Sequence, residues 1–154
     1  MDANKSLYLE DIAIGQIFRN GFVTIAEDKI ISFAQEYDPQ PFHLDAGAAD
    51  NSLFRGLAAS GWHTAAITMR LLVEGGAPFA GGLIGAGVEI TWPQPTRPGD
   101  TLRIVSTVIN IKLSSTKDDR GIVTIKTDTF NQHDSVVQSM ISKLVVFRRL
   151  SDKR

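Results

Sequence analysis

The chain contains no cysteine. That one absence excludes a disulfide framework, a thiol nucleophile and a thiolate zinc site. Charge of one sign is not in excess either. Sixteen Lys+Arg against 17 Asp+Glu leave a net charge of −1, which gives no electrostatic reason to expect nucleic acid or an anionic membrane as a partner. No apolar run reaches the ~20 residues that span a bilayer. The opening Met1-Asp2-Ala3-Asn4-Lys5-Ser6 is polar and lacks a signal-peptide core. A soluble, cytoplasmic protein is the expectation. Internal repeats and low-complexity tracts are also missing. At 154 residues one domain over 1–154 is expected, with an irregular lead-in at 1–15 and a frayed tail at 151–154.

What is present is concentrated in Tyr37-Asp38-Pro39-Gln40-Pro41-Phe42-His43. A carboxylate and an imidazole stand there with two prolines between them. Each proline has a fixed φ and no N–H, and each pushes the residue before it, Asp38 and Gln40, toward extended backbone. Asp38 is therefore expected to close a helix, and His43 to follow on a short, stiff loop. A stiff loop holds an acid/base pair in place at little ordering cost.

Around this stretch the chain alternates between two periodicities. Residues 16–25 read as a strand interrupted at Asn20-Gly21 by a turn or bulge. Thr24 and Glu27 have capping-box spacing. Ile30, Ile31, Phe33, Ala34 and Tyr37 recur at helical spacing over 28–37. Asp45 is placed to cap a short helix at 46–50. Residues 57–74 are apolar or small on nearly every side and stop at Gly75-Gly76, which predicts one long buried helix. Four β-rich runs follow, at 83–92, 101–113, 121–130 and 135–147, joined by polar, turn-like segments. Within 101–113 strict alternation puts Leu102, Ile104 and Val108 on one face and Val105, Ile109 and Ile111 on the other. The last run is apolar on both faces, so it is expected at the centre of the sheet or under a partner. A curved antiparallel sheet wrapped around one long central helix is the simplest α+β solution.

At this point the chain resembles a known family. Asp38-Pro39-Gln40-Pro41-Phe42-His43 is similar to the D-x-N-P-x-H motif of the MaoC-like dehydratases, which include the (R)-specific enoyl-CoA hydratases. Ala59-Ser60-Gly61-Trp62-His63-Thr64 resembles the glycine-bearing start of their hot-dog helix. The segment from Thr91-Trp92-Pro93 through Arg97-Pro98-Gly99-Asp100 to Leu102 resembles their W-x-x-P-x-R-P-G-D-x-L block. Gln40 departs from the pattern, standing where these hydratases carry Asn. The resemblance implies a hot-dog fold and reversible hydration of a 2-enoyl thioester to an (R)-3-hydroxyacyl thioester. It implies Asp38 and His43 as the water-holding acid/base pair and the Gly61 N–H as the oxyanion donor. Gln40, Phe42, Ser60 and Trp62 would line the substrate. No metal or cofactor is required. The partner would be an acyl-CoA or acyl-carrier-protein thioester, and the assembly a homodimer joined at sheet edges.

Other readings stand beside this one. Alone, Asp38 is equally a helix-terminating turn residue and His43 a structural hydrogen bonder; the three blocks together favour the acid/base site. A hot-dog acyl-CoA thioesterase and a non-catalytic acyl-CoA-binding protein are the alternatives. His63 is read as structural or pocket-lining, His133 as a surface residue, and residues 97–100 as a turn. Arg70, Arg148 and Arg149 are either contacts for CoA phosphates or solvated surface.

Overall fold

The computed structural model describes residues 5–150; the expected tail at 151–154 lies outside them. Five strands form one antiparallel sheet in the order β1-β3-β4-β5-β2. They are β1 (Ile17–Thr24), β2 (Ile84–Thr91), β3 (Thr101–Leu113), β4 (Arg120–Phe130) and β5 (Val136–Phe147). Between β1 and β2 run α1 (Glu27–Tyr37), α2 (Pro41–Leu44), α3 (Ala46–Asp50) and α4 (Gly61–Leu71). This sheet with its single principal helix is the hot-dog architecture expected from the sequence.

The core lies between α4 and the sheet. Ile67, Leu71 and Leu72 from the helix side meet Leu102, Ile104, Val108, Val123, Ile125, Val137 and Val146. Alternation along β3 buries Leu102, Ile104, Ser106 and Val108, as period-2 geometry requires. The register then slips between Val108 and Asn110. A bulge shifts the parity of everything beyond it. Ile111, expected on the opposite face, therefore packs against the core instead. A second bulge between Gly21 and Val23 sits where Asn20-Gly21 suggested one.

Several local expectations are corrected. Thr24 does not cap α1: Ala26 holds the N-cap position with no side-chain bond. Thr24 is the last ladder residue of β1, and its hydroxyl is spent across the strands on Thr101 Oγ1, 2.9 Å away. The long helix begins at Gly61, not at residue 57. Residues 57–60 instead bridge neighbouring segments, with Ala58 N–H donating to Phe42 O and Ala59 N–H to Thr96 O. Nor is α4 buried all round: Trp62 and Met69 are exposed, as is Val73 in the π-type turn Leu72–Gly76 that follows. Strand β5 is internal, but β4 holds the centre. Asp45 does cap α3, its carboxylate accepting from Gly47 N at 2.8 Å. No helix among the described residues is long and apolar enough to cross a membrane.

Candidate active site

Asp38 closes α1. Its N–H still donates to Ala34 O, but its own backbone leaves the helix (φ −151°, ψ 67°) ahead of Pro39. His43 is not on a loop, as the two prolines had suggested. It sits on the one-turn helix α2, which Pro41 opens. Proline suits that first helical position because its φ is already helical and its missing N–H would have had no partner there. The turn folds the chain back so that His43 Nε2 comes within 3.3 Å of Asp38 Oδ2. His43 is buried, with 4% of its surface exposed.

The imidazole is oriented from behind. Nδ1 lies 2.6 Å from Ala58 O. A carbonyl oxygen only accepts, so Nδ1 carries the proton and donates. In the neutral ring Nε2 is then a bare lone pair facing a carboxylate. On the acid, burial alone would raise the pKa of Asp38. The Ser60 hydroxyl and the Gln40 amide, with the His43 ring beside them, outweigh burial and hold it below the ordinary carboxylate value. The Gln40 bond is short, Nε2 to Oδ1 at 2.6 Å.

Both side chains open onto a cavity of about 640 Å³. Gly61 lines the same cavity from the first turn of α4. Ser60 caps this helix, its Oγ accepting from Trp62 N at 3.3 Å. The Gly61 N–H has no helical carbonyl ahead of it, and no acceptor for it occurs among the described residues. Such an N–H, at the positive end of an eleven-residue helix, favours a developing negative charge.

The facing wall is the segment between β2 and β3. Trp92 packs directly on Gly61: a Cβ there would stand 2.5 Å from Trp92 Cε2. Trp62 meets Trp92 edge-on, centroids 5.7 Å apart. Thr96 accepts from Thr64 Oγ1 at 2.9 Å and from Ala59 N. The Arg97 guanidinium donates to Gly56 O at 2.8 Å, to Leu57 O at 3.3 Å and to Phe54 O. It thereby ties this wall to the loop ahead of α4.

The sequence-derived residues fall into two groups. Asp38, His43, Gly61 and Trp62 line the cavity. Ser60, Gln40 and Phe42 do not. Gln40 instead bonds to Asp38, Ser60 caps α4, and Phe42 packs edge-on against His43 with centroids 4.6 Å apart. His63 lies away from the cavity, stacked on Phe33 at 4.6 Å; burial lowers its pKa and keeps the ring neutral. His133 is exposed. The three arginines considered for phosphate contacts are all paired: Arg70 with Glu74, Arg148 with Glu10 and Arg149 with Asp11. Trp92, Thr96 and Arg97 lay within a quoted motif but were given no role at the site, Trp92 ending the β run 83–92 and Arg97 opening a turn. Their polar and aromatic character, pinned between prolines, was the available signal.

A helix N-terminus and an Asp/His pair thus meet at one cavity on a hot-dog sheet. The family description "MaoC like domain" matches residues 12–130, and the chain belongs to that family. The crystal structure of a MaoC-like dehydratase from Rhodospirillum rubrum is similar to it at 56% identity and TM-score 0.93, covering 95% of this chain and all of the other. An uncharacterized protein of Bacillus subtilis (strain 168), YdeM, is 34% identical over 141 residues, covering 89% of this chain and 97% of its own. An unliganded (R)-hydratase from Pseudomonas aeruginosa shares the fold, with TM-score 0.72 and 24% identity over 97% of this chain and 94% of that one.

Proposed function

We propose that this protein hydrates a 2-enoyl thioester, and dehydrates the (R)-3-hydroxyacyl thioester in reverse. The observation that carries the reading is the pairing of His43 Nε2 with Asp38 Oδ2 at 3.3 Å on a cavity that Gly61 also lines. One water donates its two protons to Nε2 and Oδ2, which leaves its lone pairs directed at C3. As the oxygen bonds to C3, one proton passes to the pair and the π electrons move toward the thioester. Negative charge develops on the thioester oxygen, which the Gly61 N–H receives; one such donor is worth about 10²–10³ in rate. A proton from the pair is then delivered to C2, which restores the thioester and completes the addition. Asp38, held ionised by Gln40 and Ser60, stabilises the imidazolium while it exists. The reaction calls for no metal or redox cofactor, because every step moves only a proton or an electron pair on carbon.

The substrate carrier is a CoA or acyl-carrier-protein thioester, the compartment is cytoplasmic, and the protein works as a homodimer. Support for the dimer comes from β2, an edge strand exposed along nearly its whole length. It bears Ile84 and Val88 in the open, and Met69 and Val73 are exposed on the helix side. Open edges of this kind are ordinarily covered. The test is loss of the conjugated enoyl absorbance of crotonyl-CoA, with free thiol followed in parallel. Hydration without thiol release is expected. Thiol release would favour thioester hydrolysis, and binding without either change would favour a non-catalytic acyl-CoA carrier.

A further inference from the structure

We propose that Trp92, fixed in place by Gln138, is the wall that ends the acyl pocket and restricts this site to short acyl chains, of crotonyl rather than octenoyl size. The inference rests on the enoyl-thioester reading above and narrows its substrate class. An acyl thioester whose oxygen lies at the Gly61 N–H must lie beside the indole, because Trp92 is already in contact with Gly61.

The indole is not free to swing away. Its Nε1 donates to Gln138 Oε1 at 3.0 Å. Gln138 projects from β5 with none of its surface exposed, and its Nε2 donates to Thr68 Oγ1 at 3.1 Å. Thr68 in turn shares a 2.6 Å hydrogen bond with Thr129 Oγ1. This chain of satisfied groups runs from the sheet through α4 to the cavity wall. Moving the indole would leave a fully buried amide oxygen without its donor, which the interior resists.

Behind the indole the packing is polar. Between α4 and the sheet on this side lies a buried pair of hydroxyls, Thr68 with Thr129. A longer alkyl chain would gain no dry apolar contact there and would break bonds to enter. The whole cavity, about 640 Å³, must also accept the thioester end of the carrier.

The test is calorimetric binding of butyryl-CoA and octanoyl-CoA, saturated thioesters that cannot be hydrated. Ordinarily each buried CH₂ tightens binding by several-fold. Here the wild type is expected to bind octanoyl-CoA no tighter than butyryl-CoA. Trp92→Ala and Gln138→Leu should each shift the ratio toward octanoyl-CoA by about tenfold or more. Gln138 touches no substrate and acts through the indole, so a second readout is needed. In a Trp62→Phe background the emission of Trp92 should change when Gln138→Leu is added. A wild-type preference for octanoyl-CoA, an unmoved ratio in folded Trp92→Ala, or no binding of either thioester overturns the proposal. Hydration of crotonyl-CoA alongside an octanoyl preference refutes the wall alone. No hydration alongside the expected binding order refutes the catalytic reading and keeps the wall.

Discussion

Replacing Gly61 by alanine probes the contact between helix and wall. The new methyl would stand 2.5, 2.7 and 2.9 Å from Cε2, Cζ2 and Cδ2 of Trp92. Carbon atoms in contact normally lie ~3.5–4.0 Å apart, so the indole must retreat by roughly 1 Å. It cannot do so freely, because Nε1 is bonded to the buried Gln138. Overpacking of this kind costs about 1–3 kcal/mol, and an unsatisfied buried amide oxygen about 1–3 more. Up to ~1 kcal/mol returns because alanine is the better helix former. A net loss of about 1–6 kcal/mol follows, which lowers Tm by roughly 2–24 °C for a chain of this size. Thermal unfolding followed by near-UV circular dichroism reads both the Tm and the tryptophan environment. Adding Trp92→Ala should relieve the clash, so that Gly61→Ala costs far less in that background than in the wild type. An unchanged Tm and near-UV spectrum in the single variant would refute the packing argument.

The Gln40→Ala variant should raise the pKa of Asp38, because it removes a 2.6 Å donor to the carboxylate. The acid limb of the kcat/KM profile should then move to higher pH; an unmoved limb would contradict the role given to Gln40. Stability follows the same sign. Since the folded-state pKa of Asp38 is depressed, its contribution is complete above the unfolded-state pKa and is lost as pH falls through the folded one. That acid-side loss should be smaller in Gln40→Ala. In light scattering at micromolar concentration the protein should run as a dimer, and a charge at the β2 edge, Val88→Lys, should weaken it; a wild-type monomer would contradict the edge-to-edge assembly.

The helices and strands were legible wherever one periodicity ran undisturbed, as in 28–37 and in the first half of β3. They were misjudged where a single atom's bond decided the outcome. Ser60 as an N-cap moved the start of the long helix by four residues; the serine was the available signal, overridden by the apolar run around it. The bulge after Val108 reversed the face of Ile111, which strict alternation does not foresee. Of the site, Asp38 and His43 could be picked out because prolines flank them. The bond from His43 to Ala58 O could not, since it depends on a carbonyl fifteen residues away. That Gln40 donates to the Asp38 carboxylate was equally hidden, since it depends on how the two prolines fold the turn. Gln138 left little trace, a single amide in a β-branched strand, yet it holds the cavity wall.

The central claim is that Asp38 and His43 together hold and deprotonate the attacking water. The most direct measurement is kcat for crotonyl-CoA hydration by wild type, Asp38→Asn, His43→Gln and the double variant, each checked for folding. General acid–base groups contribute about 10²–10⁴ in rate, so each single variant should fall by that order. The double should be little worse than the poorer single, because residues that act as a unit are not additive. Wild-type turnover in either folded single variant would contradict the account.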